Sequence, residues 1–277
     1  MSTTFRVPRH QTSLVGESWL GKGPTVILLH AGVADRRSWE AVALDVSKQA
    51  RVVSYDRRGF GETIPGVDPY THVDDLIALL DHQHIETTWL VGSSAGGKLA
   101  LEAAIKIPHR IDGLVLISPA VSGAPPPSTD DMDPELIEID RLITREEELE
   151  HLDEVNRLEV RLWLDGPREL EGRVHGAPRE LMRQMNAIAL ANFVAEGPEG
   201  DVDTWAYLTG LTIPTTVACG SFDAKHIILR SQGLATRIPH AKYVALEGMA
   251  HLPYLEDPLK VAALISAAIE NRAPVSL

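Results

Sequence analysis

A chain of 277 residues with 44% apolar content can bury one large core, so one large domain or a core carrying an insertion is expected. Acidic residues outnumber basic ones by 39 to 26, and the formal charge of -13 excludes nucleic acid and anionic membrane surfaces as natural partners. The single cysteine, Cys219, cannot form an internal disulfide, Met1 to Arg9 lack an apolar signal core, and no apolar run reaches membrane-spanning length, so a cytoplasmic protein is expected.

Along the chain, short runs rich in Val, Ile and Leu alternate with longer amphipathic segments. Thr12 to Leu20 alternates apolar and polar residues and ends at Gly21-Lys-Gly-Pro24, which predicts an antiparallel hairpin at a sheet edge. Thr25–His30, Arg51–Asp56, Thr88–Gly92 and Leu114–Ser118 read as buried parallel strands, and Thr215–Gly220 and Tyr243–Leu246 continue the series. Helical patterns cover Ser38–Lys48, His72–Gln83, Ser94–Ile107 and Leu259–Asn271. The alternation predicts an α/β fold with a mostly parallel central sheet covered by helices on both faces. Cys219 falls inside a predicted strand and reads as a small core residue rather than a reactive thiol.

The alternation stops between residues 121 and 208. Ser122 to Asp133 is crowded with Pro, Gly, Ser and Asp, which reads as a linker. Pro134–Leu164 and Arg179–Phe193 then carry Leu and Ile at helical spacing without any strand signal. Residues 1–120 and 209–277 therefore read as the core and 121–208 as an inserted helical cap. The run Arg145-Glu-Glu-Glu-Leu-Glu150 reads as a solvated helix face.

The strongest local signal is Gly92-Ser-Ser94-Ala-Gly96, directly after a strand and directly before a helix. A sharp strand-to-helix turn strains its central residue, and glycines two positions to either side keep the crowded turn free of side chains. The serine oxygen is thereby held clear of the sheet near the positive end of a helix. Ser93 competes, but its flanking positions are Val91 and Ala95, so the spacing selects Ser94. Serine needs a base. Of eleven histidines, His30 and His251 follow strands, where reactive groups gather in an open parallel sheet. His251 lies between the last strand and the last helix and is the candidate base, while His30 reads as a buttress of its loop. Asp223, past the strand ending at Gly220, is the candidate orienting acid. Its rivals Glu256 and Asp257 read as charges at the start of the last helix. The oxyanion needs N–H donors. Ala95 supplies one, and the small residues Ala31 and Gly32 after the first parallel strand make the Gly32 N–H the favoured second, with Val33 the alternative.

Taken together, Leu28-Leu-His-Ala-Gly32, Asp56-Arg-Arg-Gly-Phe-Gly61, Gly92 to Gly97, Gly220-Ser-Phe-Asp223 and Gly248-Met-Ala-His251 resemble the α/β-hydrolase superfamily across roughly Val26 to Asp257. The resemblance implies the chain order serine, acid, histidine, and the order Ser94, Asp223, His251 follows it. It implies that Tyr55 to Glu62 is a structural turn and that 121–208 matches the family's variable helical cap. One departure is His30-Ala31 where the family usually has His-Gly.

The reading that follows is a serine hydrolase acting on an ester-type bond of a small molecule through an acyl-enzyme, first as a carboxylesterase, with no metal and no cofactor. Lactone hydrolysis, perhydrolysis and carbon–carbon bond hydrolysis use the same constellation. Haloalkane dehalogenation needs a carboxylate where this chain has Ser94. A non-catalytic binding protein of the same fold is the alternative from another class. Val33, Trp163, Met185, Phe193, Trp205 and Leu252 are the expected pocket residues. Oligomeric state has no sequence signal.

Overall fold

The computed structural model describes residues 2–192 and 202–270. Its eight strands are β1 Ser2–Pro8, β2 Ser13–Trp19, β3 Thr25–Leu29, β4 Arg51–Tyr55, β5 Thr88–Ser93, β6 Ile111–Ile117, β7 Thr215–Gly220 and β8 Lys242–Leu246. They form one sheet in the order β1-β2-β4-β3-β5-β6-β7-β8. From β4 to β8 every neighbouring pair is parallel, while β2 runs antiparallel to both β1 and β4. The α-helices are α1 Glu40–Val46, α2 His72–His82, α3 Ala95–Lys106, α4 Pro134–Glu148, α5 Leu152–Val160, α6 Ala177–Asn192, α7 Thr204–Tyr207, α8 Lys225–Arg237, α9 Pro253–Glu256 and α10 Pro258–Glu270.

The central strands are continuous apolar runs because both sheet faces are covered. Within β5, Trp89 and Val91 join the layer containing Val42 and Val46 of α1 and Val261 and Ile265 of α10. Leu90 between them joins the opposite layer, with Leu76 and Leu79 of α2 and Leu101 of α3. Side chains alternate across the sheet, so each strand feeds two cores. Each fully buried Leu or Ile contributes roughly 1.5–3 kcal/mol, so the centre of the sheet is the firmest platform for a reactive loop.

Two edge features differ from the sequence expectation. The antiparallel hairpin closes at Arg9–Thr12, where the Arg9 N–H donates to the Thr12 carbonyl at 2.9 Å, and β1 is its first strand. Gly21–Pro24 instead carries the chain past β4 to β3. Helix α8 is also additional to the expected set. The single helical pattern over Pro134–Leu164 breaks in two at Glu150, whose φ is 57°, and α5 runs into a π-helical turn at Arg161–Asp165. Leu136, Ile139 and Ile143 of α4 and Val155 and Leu158 of α5 pack against Ala224 and Ile227 at the start of α8. Met182 and Met185 of α6 join the α1/α10 layer.

Candidate active site

One residue makes the whole turn between β5 and α3. Ser94 sits there at φ 51°, ψ -115°, a conformation L-residues rarely adopt, which costs on the order of 1–3 kcal/mol. Its surroundings hold it in place: the Ser94 N–H donates to the Ile117 carbonyl at 3.0 Å. The Ser94 carbonyl in turn accepts from the N–H groups of Gly97 at 2.9 Å, Lys98 at 3.1 Å and Ala120 at 3.0 Å. A Cβ on Gly92 would stand 2.3 Å from the Gly96 carbonyl oxygen, and one on Gly96 2.2 Å from that of Leu29. Neither position admits a side chain, so the spacing that picked out Ser94 has a steric cause. Ser93 is fully buried at the end of β5, whereas Ser94 is partly exposed. As the first residue of α3, Ala95 has an N–H without an intrahelical partner, at the positive end of the helix.

Asp223 and His251 lie beyond the carboxyl ends of β7 and β8, on the same sheet edge as Ser94. His251 Nδ1 and Asp223 Oδ2 are hydrogen-bonded at 2.8 Å, with Asp223 only 1% exposed and His251 4%. The other carboxylate oxygen, Oδ1, accepts the Ala224 N–H at 2.8 Å. Burial pushes the Asp223 carboxyl up, but the His251 charge and hydrogen bonds from His251, Ser118 and Ala224 more than offset this and hold it below the ordinary range. Cys219 packs beside it, its Sγ 3.6 Å from Asp223 Oδ2 and 3.5 Å from Ser118 Oγ. Burial pushes this thiol far up, so it stays a neutral neighbour of the acid. Neither Ser118 nor Cys219 carries a sequence motif that marks contact with Asp223.

The rival acids have other partners. Glu256 pairs with Arg173 at 2.6 Å and accepts the Ala250 N–H at 2.7 Å, which pins the loop leading into His251. Arg173 continues to the carbonyls of Leu164 and Asp165, at 2.8 and 2.7 Å, so that loop is tied to the helical segment above it. Asp257 accepts the Lys260 N–H at the start of α10. The Asp56-Arg-Arg-Gly turn is held by ion pairs: Asp56 engages Arg36 and the Glu62 N–H, and Arg58 engages Asp75 and Asp68.

His30 is fully buried, and its Nε2 accepts the Arg57 N–H at 3.0 Å. Its proton therefore sits on Nδ1 and is donated to the Ala31 carbonyl at 2.8 Å. Burial, with the nearby Arg57 charge, holds its pKa well below the usual value. It is a neutral brace of the Ala31–Gly32 loop. A Cβ built on Gly32 would stand 3.9 Å from the Ala95 Cβ, so the loop carrying one candidate oxyanion donor adjoins the start of α3, which carries the other.

Of the expected pocket residues, Trp163 is the one in direct contact with the acid–histidine pair among the described residues. The Trp163 ring lies 4.7 Å from the His251 ring, centroid to centroid, tilted by 44°. Met185 and Leu252 are buried in the same apolar cluster as Ala31, with Val33 and Trp163 packed against it. Phe193 lies outside the described residues. Trp205 is a correction. It packs against the opposite layer, with the Arg237 guanidinium 4.7 Å over its ring and Gly233 of α8 beside it. Its aromatic surface is spent joining α7 to α8, away from Ser94. Trp205→Ala should cost roughly 2–4 kcal/mol of stability in urea denaturation. The KM for an ester should stay within about twofold, and a several-fold rise would return Trp205 to the pocket. Among the described residues no group of three or more His, Cys, Asp or Glu side chains could hold a metal ion, and no helix is long and apolar enough to cross a membrane.

A strained serine at a strand-to-helix turn, with a buried acid–histidine pair on the same edge of a parallel sheet, is the arrangement expected of the α/β-hydrolase fold. The alpha/beta hydrolase family model matches residues 26–264, and the chain belongs to that family. The chain is 36% identical over 107 residues to 2-hydroxy-6-oxo-2,4-heptadienoate hydrolase of Pseudomonas putida, a match covering 35% of this chain and 38% of that protein. It is 34% identical over 120 residues to 2-hydroxymuconate semialdehyde hydrolase of a Pseudomonas species, covering 41% of this chain and 42% of that one. The matches thus span about two fifths of the length of these curated relatives. Over nearly the whole chain, 97% of this protein and 98% of the other, it is similar to the structure of a thermophilic esterase from Thermogutta terrifontis, with a TM-score of 0.75 and 26% identity.

Proposed function

We propose that this protein is a serine hydrolase that cleaves an ester-type bond of a small molecule through an acyl-enzyme on Ser94, acting as a carboxylesterase. The observation that carries this reading is the buried 2.8 Å hydrogen bond between Asp223 and His251 on the sheet edge where Ser94 makes its strained turn. Because Asp223 engages Nδ1, the free Nε2 of His251 takes the Ser94 proton as Oγ bonds to the carbonyl carbon. The Ala95 and Gly32 N–H groups receive the oxyanion. Collapse expels the alcohol, which leaves with the proton from Nε2. Water, deprotonated by the same nitrogen, then cleaves the acyl-enzyme and releases the acid. These steps need only side chains and backbone amides, so no cofactor is called for. Residues 121–208 serve as the cap that selects the substrate, with Trp163 beside the base and Met185 in its apolar lining. The similarity to an esterase across nearly the whole chain supports the ester reading.

The test is covalent. A fluorophosphonate probe should label wild-type protein at Ser94, and aryl esters of acetate, butyrate and octanoate should be hydrolysed with a chain-length preference that measures the pocket. Folded protein that takes no label and turns over no ester would sink the reading. The two Pseudomonas relatives support a second reading on the same residues, hydrolysis of a carbon–carbon bond in a dienoate. Supplying 2-hydroxy-6-oxo-2,4-heptadienoate and following its absorbance distinguishes the two: a kcat/KM above that for every aryl ester would favour the second.

A further inference from the structure

Arg57 is a buried cation that this mechanism leaves unused. Both sequence neighbours are neutralised, Asp56 by Arg36 and Arg58 by Asp75 and Asp68. Arg57 is only 5% exposed, yet no ion pair with a carboxylate is found for it among the described residues. Its charge faces Tyr55, Tyr70 and Tyr254, and its guanidinium lies 4.7 Å over the Phe60 ring. Burial draws its pKa down to about 10, which still leaves it charged at neutral pH. A cation buried without a carboxylate is expensive, and an apolar side chain of similar volume would serve packing at lower cost.

What the guanidinium touches is the oxyanion loop. Arg57 Nη2 donates to the His30 carbonyl at 3.3 Å and to the Ala31 carbonyl at 3.2 Å. The Ala31 oxygen also accepts His30 Nδ1–H at 2.8 Å and the Ala34 N–H at 3.3 Å, so three donors converge on one carbonyl. That carbonyl shares a peptide unit with the Gly32 N–H. The unit is planar, so fixing the direction of the C=O fixes the direction of the N–H. Donors on the oxygen also draw electron density through the amide and leave its N–H more positive, as in any hydrogen-bonded amide chain. We propose that Arg57 is a positioning residue, whose guanidinium orients and polarises the Ala31–Gly32 peptide so that the Gly32 N–H is ready for the oxyanion.

This inference rests on the serine-hydrolase reading, and the experiment separates the two. Arg57→Met removes the charge while keeping much of the volume. Active sites are titrated with the fluorophosphonate, then kcat and KM for an aryl ester and the affinity for a boronic acid that forms a tetrahedral adduct are measured. Removing an oxyanion donor outright costs about a hundredfold or more in kcat, so losing only its orientation and polarisation should cost about ten- to a hundredfold. KM should stay within about twofold, and boronate affinity should fall in parallel with kcat. A merely structural role would lower melting temperature and the titrated fraction but leave kcat per titrated site unchanged. A kcat within twofold of wild type, or a loss of kcat without loss of boronate affinity, overturns the proposal. If Arg57→Met does not fold, Arg57→Gln carries the same test with the same outcomes. If wild-type protein takes neither probe nor boronate, the serine-hydrolase reading fails first and takes this proposal with it.

Discussion

Ser94→Ala should lower kcat/KM for an aryl ester by about 10⁵- to 10⁶-fold, the scale of loss when a nucleophile is removed from a serine–histidine–acid unit. Alanine has the same Cβ as serine, so at φ 51° it carries the same backbone strain. The bonds of the Ser94 peptide group to Ile117, Gly97, Lys98 and Ala120 are untouched. Melting temperature should therefore move by no more than a few degrees, and the lost activity is chemistry rather than unfolding. Ser93→Ala is the internal control. Ser93 is fully buried in β5, so its variant can lose stability but should keep fluorophosphonate labelling. The measurement is initial rate and labelling stoichiometry side by side. A Ser94→Ala protein that keeps even a hundredth of wild-type activity, or that still takes the label, would move the nucleophile elsewhere.

The contrast between these two serines also shows what a single chain reveals about its fold. The turn at Ser94 was legible because its constraint is local: Gly92 and Gly96 are barred from carrying side chains by atoms of the same turn and of the adjacent strand end. The central strands were legible for a related reason, since burial on two faces writes an unbroken apolar run into the sequence. β1 had no such mark. Only Val7 among its residues is buried, and what makes it a strand is its backbone ladder with β2, which any polar sequence can form. The place of Trp205 is not legible in the sequence because an aromatic side chain between two helical segments fits a pocket wall or an inter-helix contact equally well. The partners that decide it, Gly233 and Arg237, lie on α8, a helix additional to those the sequence pattern predicts. Arg57 was hidden differently. It stands in a run with Asp56 and Arg58, whose ion pairs make the whole turn look like scaffold. Its contact with the His30 and Ala31 carbonyls depends on β3 and β4 being neighbours in the sheet.

Asp223→Asn should lower kcat by about 10⁴-fold, and the local hydrogen bonds say why so small a change is so costly. The Asp223 Oδ1 accepts the Ala224 N–H at 2.8 Å while Oδ2 faces His251 Nδ1. An asparagine must keep its single carbonyl oxygen toward Ala224, because its NH₂ group cannot accept that donor. The NH₂ then points at Nδ1, which must lose its proton to accept, and the proton moves to Nε2. That is the nitrogen that has to be free to take the proton of Ser94. The imidazole is thus left in the tautomer that cannot act as base, with packing almost unchanged. Stability carries a second signature. Interactions with His251, Ser118 and Ala224 depress the folded carboxyl below its ordinary value, so the unfolded chain binds the proton more readily. The wild-type carboxylate therefore stabilises the fold at neutral pH, and that contribution is lost as pH falls from about 4 through the depressed folded value. The stability gap between wild type and Asp223→Asn should accordingly be widest above about pH 5 and narrow on acidification. Urea denaturation of both proteins at several pH values reads this directly. A gap that widens toward acid, or a variant that keeps a tenth of wild-type kcat, would remove Asp223 from its role and leave His251 without the partner that sets its tautomer.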